Sequence, residues 1–345
     1  MNTSKIFFNK AVIFIIIFAW VYHIGAVVMV FSEFPTDADT SATETTATGL
    51  NFTSVQSIKQ TNPLPELTKW TARDGNDLYY RRYKSETSSD KTLILLHGSG
   101  WHSQQFQALA SHIAKSGVAN VITPDLRGHG VRPAARGDVS YIGQFEDDLA
   151  DLISELGKTQ PNQKIIMGGH SSGGGLAVRF AGGEYGKLAS AYVLLAPYLK
   201  YNAPTTRVNS GGWARPLTRR IIGLSMLNQM GITGLNNLTA IEFNFPKSVL
   251  DGPLGATATS RYSYRLNTSF APRDDFEADL KALTQPFLLI AGSNDEAFFA
   301  DKYEPVISAN TASGTYSILP NQDHLGIVND PRALDEIANW MTHLK

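Results

Sequence analysis

Through most of the chain, short and nearly uninterrupted apolar runs alternate with stretches whose apolar residues recur every three or four positions. The runs are Thr92-Leu93-Ile94-Leu95-Leu96, Val121-Ile122-Thr123, Lys164-Ile165-Ile166-Met167, Ala191-Tyr192-Val193-Leu194-Leu195-Ala196, Phe287-Leu288-Leu289-Ile290-Ala291 and Thr315-Tyr316-Ser317-Ile318-Leu319. A strand that is apolar on both faces is one buried on both faces. Between them, Gln104–Lys115 carries Phe106, Leu109 and Ile113 at helical spacing, with Gly117 to end it. Tyr141–Leu156 places Ile142, Phe145, Leu149, Leu152, Ile153 and Leu156 on one helical face. Shorter helices are predicted over Leu176–Ala181 and Tyr303–Ala309, and a last one over Pro331–His343. Ahead of all this, Leu67–Thr71 and Leu78–Tyr83 flank Asp74-Gly75-Asn76, which reads as a hairpin. The pattern predicts an α/β fold with a mostly parallel central sheet covered by helices on both faces.

The alternation fails in two places. From Tyr198 to about Phe270 the chain is irregular and rich in Gly, Asn, Thr and aromatic residues, with one helix predicted over Leu217–Met230. So long an insertion between strands of a parallel sheet belongs over the strands' C-terminal ends, and residues 198–270 are read as a cap. The second departure is at the amino terminus. Ala11–Phe31 is apolar except for His23, and as a helix it would be about 31 Å long, enough to cross a bilayer. Lys5 and Lys10 precede it while Glu33, Asp37, Asp39 and Glu44 follow, which puts the remainder outside the cytoplasm. Residues 1–32 are therefore expected to be a transmembrane anchor of a single-pass membrane protein with an extracytoplasmic catalytic part. A cleaved signal peptide, leaving a secreted or periplasmic protein, is the competing reading, weakened by the length of the run and the lack of a clear A-x-A site. Residues 33–64, crowded with Thr and Ser, are expected to form a flexible linker, and 65–345 the catalytic domain. Asn51-Phe52-Thr53, Asn237-Leu238-Thr239 and Asn267-Thr268-Ser269 fit the N-glycosylation pattern.

Composition removes several chemistries. The 345 residues balance 30 Lys and Arg against 31 Asp and Glu, so there is no basic field for nucleic acid. Cysteine is absent, which excludes disulfides, thiolate metal sites and a cysteine nucleophile. No metal-ligand spacing appears. The glycine-rich run Gly168–Gly175 lacks both the Lys-Ser/Thr of a phosphate loop and G-x-G-x-x-G spacing. Neither a metal nor a cofactor is expected.

That run instead contains Gly169-His170-Ser171-Ser172-Gly173, a G-x-S-x-G placed between a strand and a helix. Such an elbow presents a serine at the top of a sheet, strained and flanked by residues without side chains. A serine hydroxyl needs a base within reach and the base needs an orienting acid, in chain order serine, acid, histidine. Of the histidines after Ser171, His343 falls in the terminal helix, while His324 follows the last strand, where a base belongs. The acid is expected in Gly292-Ser293-Asn294-Asp295-Glu296, as Asp295 with Glu296 as the alternative. Asp323 is read as loop-forming, and Asp125 as tying down Arg127-Gly128-His129-Gly130. An oxyanion hole needs two fixed N–H donors, expected from Ser172 at the head of the elbow helix and from Ser99 in His97-Gly98-Ser99-Gly100. His97, His102, His129 and His170 are given scaffold roles.

Taken together, Leu95-Leu96-His97-Gly98-Ser99-Gly100-Trp101-His102-Ser103, Pro124-Asp125-Leu126-Arg127-Gly128-His129-Gly130, Gly169-His170-Ser171-Ser172-Gly173-Gly174, Gly292-Ser293-Asn294-Asp295 and Asp323-His324 resemble the α/β-hydrolase superfamily. Within it they are similar to the monoacylglycerol lipase, lysophospholipase and serine aminopeptidase-like group. The similarity runs from about Leu67 to Lys345 and is weakest in the cap. It implies Ser171 as nucleophile, Asp295 as acid, His324 as base, and Ser99 and Ser172 as oxyanion donors. It further implies a serine hydrolase that cleaves carboxylic esters, of acyl-lipid, monoglyceride or lysophospholipid kind, through an acyl-enzyme. The other readings are a peptidase or amidase using the same machinery, and a non-catalytic binding protein on a hydrolase fold.

Overall fold

The computed structural model describes residues 20–36, 49–53 and 63–344. Strands β1 (Leu67–Thr71), β2 (Asp77–Tyr83), β3 (Lys91–Leu96), β4 (Asn120–Asp125), β5 (Lys164–His170) and β6 (Ala191–Leu195) come first. The cap then supplies β7 (Ala214–Pro216), β8 (Thr239–Phe243) and β9 (Arg261–Ser263) before β10 (Phe287–Gly292) and β11 (Gly314–Leu319) close the chain's sheet. The main sheet has eight strands in the order β1-β2-β4-β3-β5-β6-β10-β11. Only β1 with β2 and β2 with β4 pair antiparallel; every other pair is parallel. The predicted hairpin and parallel runs are all present.

Successive residues of the apolar strands enter different cores, as the two-residue side-chain period requires. Ile94, Leu96, Ile122, Met167, Leu194 and Leu289 point to one face, where α2 (Gln144–Gly157) and α3 (Ser172–Ala181) cover them. Leu93, Leu95, Val121, Ile166, Val193 and Ile290 point to the other, under α1 (Gln107–Lys115) and the terminal helix Pro331–Thr342. The parallel strands therefore end together on one edge, and the loops that follow β3, β5, β10 and β11 carry the residues singled out above.

The cap is more ordered than its sequence suggested. Besides α4 (Thr218–Gln229), which matches the predicted helix, it holds a three-stranded antiparallel sheet in the order β7-β8-β9. β7 and β9 are three residues each, too short to produce a readable alternation.

Residues 20–31 are helical and lie on the cap. Ala26 and Val30 are buried together with Leu224, Leu227, Ala240 and Tyr264. A Cβ at Gly223 of α4 would come within 2.5 Å of the Ala26 carbonyl oxygen and 2.8 Å of the Val30 nitrogen, so glycine is what lets the two helices touch. Among the described residues no helix is long and apolar enough to cross a membrane. Residues 11–19 of the predicted span lie outside the described residues. The stretch read as a solvated linker also has docked pieces. The Thr36 N–H donates to Glu242 at 3.1 Å, and Leu50 and Phe52 are buried, with Phe52 among Trp101, Trp213 and Phe245. The rest of that stretch, residues 37–48 and 54–62, lies outside the described residues.

Candidate active site

β5 runs into α3 through Ser171, whose φ of 54° and ψ of −120° lie where a side chain is strained. The turn is possible because a Cβ at Gly169 or Gly173 would collide with backbone, at Gly173 with the Leu96 carbonyl of β3. Backbone bonds hold the strained residue on both sides. The Ser171 N–H donates to Leu195 O at 2.9 Å, and Tyr198 N–H donates to Ser171 O at 2.9 Å.

The loop after β3 lies against this elbow with its donors already sorted. Gly98 N–H donates to Gln105 Oε1 at 2.8 Å, and Gly100 N–H donates to the Tyr262 hydroxyl at 2.6 Å. Between them, Ser99 N–H has no acceptor among the described residues, and neither does Ser172 N–H at the start of α3. The two serine hydroxyls meet at 2.6 Å. Two unspent amides thus flank one spot beside Ser171, the arrangement an oxyanion requires.

Asp295 and His324 meet on the other side. His324 Nδ1 lies 2.8 Å from Asp295 Oδ2, and both side chains are buried. The other carboxylate oxygen of Asp295 accepts N–H bonds from Ala297 and Phe298, both at 2.8 Å. With that oxygen occupied, the imidazole carries its proton on Nδ1 and its Nε2 is left as the acceptor. Glu296, the alternative acid, does something else. Its Oε2 accepts the backbone N–H of His324 at 3.0 Å and its Oε1 accepts that of Asn51 at 3.0 Å. The His324 ring packs on His170 at 4.5 Å and on Phe298 at 5.1 Å. The Ser171 hydroxyl has no hydrogen-bond partner among the described residues.

Ser99, Ser171 and Ser172 line a cleft under the cap, walled by Tyr198, Trp213, Phe243 and Phe270. It has about 530 Å³ of empty volume, part of it open to solvent. None of the described residues lining it is charged.

The remaining histidines are scaffold, as expected. His129 Nδ1 bonds Arg127 O at 3.0 Å and its Nε2 bonds the Tyr262 hydroxyl at 2.7 Å. Burial pushes its pKa down to about 3, and burial likewise holds His97 and His170 well below the ordinary histidine value. Asp125 lies against the Arg127–Gly130 loop: a Cβ on Gly130 would collide with its Oδ2. Its carboxylate accepts Ser103 N–H at 2.9 Å, while Arg127 pairs with Asp148 at 2.7 Å and Asp74 at 3.0 Å. Asp148 on α2 and Asp74 in the hairpin turn thus hold the Arg127 guanidinium. Asp323 is loop-forming, accepting Gly326 N–H at 2.6 Å. Three site residues were not found from the sequence: Tyr262 and Gln105, which hold the Ser99 loop, and Asn51, whose amide reaches Asp323 at 2.8 Å. Tyr262 and Asn51 belong to segments far in sequence from what they hold, and Gln105 carries no motif of its own seven residues after Gly98.

The family profile described as serine aminopeptidase, S33 matches residues 87–246. Mouse monoglyceride lipase is 26% identical over 293 residues, covering 82% of this chain and 93% of its own. Among solved structures, a soluble variant of yeast monoglyceride lipase in complex with a substrate analog superposes with a TM-score of 0.61 at 17% identity, covering 83% of this chain and 97% of that one. This chain has the α/β-hydrolase fold. It stands with the serine ester hydrolases of that fold. A bacterial membrane phospholipase A shares the fold at a TM-score of 0.53 and 14% identity, covering 98% of this chain and 99% of that one.

Proposed function

We propose that this hydrolase cleaves carboxylic esters of single acyl chains, monoglyceride- or lysophospholipid-like, through an acyl-enzyme on Ser171. The observation that carries the reading is the buried Asp295–His324 pair at 2.8 Å beside a strained serine flanked by two unspent amides. Ser171 Oγ attacks the ester carbonyl while His324 Nε2 accepts its proton, and Asp295 stabilises the resulting imidazolium. The carbonyl oxygen, now negative, accepts the N–H bonds of Ser99 and Ser172. His324 returns the proton to the departing alkoxide, so an alcohol leaves. Water, deprotonated by the same histidine, then releases the carboxylic acid and restores the serine.

The substrate class rests on the cleft and on the relatives. A cleft walled by aromatic side chains takes an acyl chain, and the mouse and human relatives are named monoglyceride lipases. The peptidase reading needs a carboxylate to pair the free α-amino group of its substrate, and the cleft lining contributes none.

We also propose that residues 1–32 anchor the enzyme to a membrane with the catalytic domain extracytoplasmic. Supporting this, the helical residues Trp20, Val21, Ile24, Val28 and Phe31 turn apolar side chains away from the cap, in continuation of the apolar run from Ala11. Two measurements test the proposal. Purified enzyme should turn over monoacylglycerols far faster than aminoacyl amides, and Ser171→Ala should abolish it; equal rates on amides, or a fully active alanine variant, would overturn the function. Fractionation of the full chain should leave it with membranes after a high-salt wash, and release by salt would remove the anchor.

A further inference from the structure

Gln105 lies on the 3₁₀ turn Ser103–Phe106 that leads into α1, between the Ser99 loop and the elbow. Its amide orientation is fixed chemically. Gly98 N–H is a donor, so the atom it meets at 2.8 Å is the side-chain oxygen, Oε1. The nitrogen then faces His170 Nδ1 at 3.0 Å as a donor, which makes Nδ1 an acceptor. A neutral imidazole that accepts at Nδ1 carries its hydrogen on Nε2, and Nε2 lies 2.9 Å from the His324 carbonyl oxygen. The directions close without conflict: Gly98 N–H to Gln105, Gln105 to His170, His170 to the His324 carbonyl. The His170 ring also packs on the His324 ring at 4.5 Å, so both backbone and ring of the base rest on it. A Cβ on Gly98 would stand 3.1 Å from His170 Nδ1, so glycine leaves the ring its place against this loop.

We propose that Gln105 and His170 are positioning residues, a hydrogen-bonded brace that sets the Ser99 amide and the His324 base at a fixed spacing across Ser171. Neither touches the reacting atoms. The brace rests on the reading of Ser171, Ser99 and His324 given above. It explains why the residue before the nucleophile is a buried, neutral histidine: only a group that accepts at one end and donates at the other can join an amide to a carbonyl. The titratable group facing His170 is His324; Gln105 and Gly98, on the opposite side, are neutral.

Gln105→Glu gives the distinguishing readout. One carboxylate oxygen can still accept Gly98 N–H, but the other is an acceptor facing an acceptor. At lower pH, His170 takes a second proton and donates from both nitrogens, so the contact with the His324 carbonyl survives. At higher pH it keeps one proton, which the carboxylate holds on Nδ1, and Nε2 then faces the carbonyl with a lone pair. The variant should therefore show an alkaline fall in kcat of about 10- to 100-fold, the cost of small misplacement at a reacting centre, with KM little changed. The wild-type chain should not show this fall. Gln105→Met should lower kcat to a similar degree at every pH. A second measurement needs no turnover. In ¹⁵N-histidine spectra of the full chain in detergent micelles, His170, identified by the shift Gln105→Met induces, should be the Nε2–H tautomer. An Nδ1–H tautomer, or a pH-independent loss in Gln105→Glu, would overturn the brace. A correct tautomer in an enzyme whose Ser171 proves dispensable would instead overturn the assignment of the nucleophile.

Discussion

Asp295 and Glu296 stand side by side after β10, yet the fold gives them separate work. Two backbone amides hold one oxygen of Asp295 and aim the other at the His324 ring, while Glu296 accepts the His324 backbone N–H. Asp295→Asn should leave the ring in the wrong tautomer and lower kcat by about 10⁴-fold, as loss of an orienting carboxylate does in serine hydrolases. Glu296→Gln keeps an acceptor for the backbone and should cost no more than about tenfold, the low end for a misplaced reacting group. Steady-state kcat for both variants on one ester checks the pair; equal losses would contradict the division. Adjacent carboxylates on one loop look alike in a sequence. What separates them is which oxygen the following amides capture, and that depends on the path of the backbone after the turn. Ser171 and His324 were legible because each sits at a strand end with a motif or position that no neighbour shares.

At the scale of elements, the main sheet could be read because each of its inner strands is apolar enough to serve two cores at once. The cap could not. Its small core at Leu224, Leu227, Ala240 and Tyr264 is completed by Ala26 and Val30, nearly two hundred residues away in sequence. A segment that borrows a third of its buried core shows no closed pattern of its own. The contact is close enough to test with one atom group. Gly223→Ala places a methyl against the Ala26 carbonyl and should destabilise the docked helix by roughly 1–3 kcal/mol, as overpacking does. Limited proteolysis should then cut between residues 20 and 36 faster than in the wild-type chain, with the β3–β5 part of the domain unaffected. Unchanged cleavage would mean that the helix is not held by this contact.

For the whole molecule, three buried histidines are held neutral by the fold. Burial lowers His129 to about 3 and holds His97 and His170 well below the ordinary value. In the unfolded chain each would titrate near 6.5, so the unfolded state binds more protons as the pH falls below that point. The folded state is favoured fully above about 6.5 and loses that advantage between about 6.5 and 3. Thermal melts should show Tm steady from pH 7 to 8 and falling steeply below pH 6. A Tm that rises on acidification would contradict neutral, buried imidazoles.

The central claim is that five residues from four separate loops make one acylating centre on Ser171. A fluorophosphonate tests it most directly, because such a probe phosphonylates only a serine whose base and oxyanion donors are in place. Labelled full-length enzyme, digested and read by mass spectrometry, should carry the adduct on Ser171, with labelling lost in Ser171→Ala and greatly slowed in His324→Ala. An adduct on Ser172 or Ser99, or an unlabelled protein that still hydrolyses esters, would contradict the account.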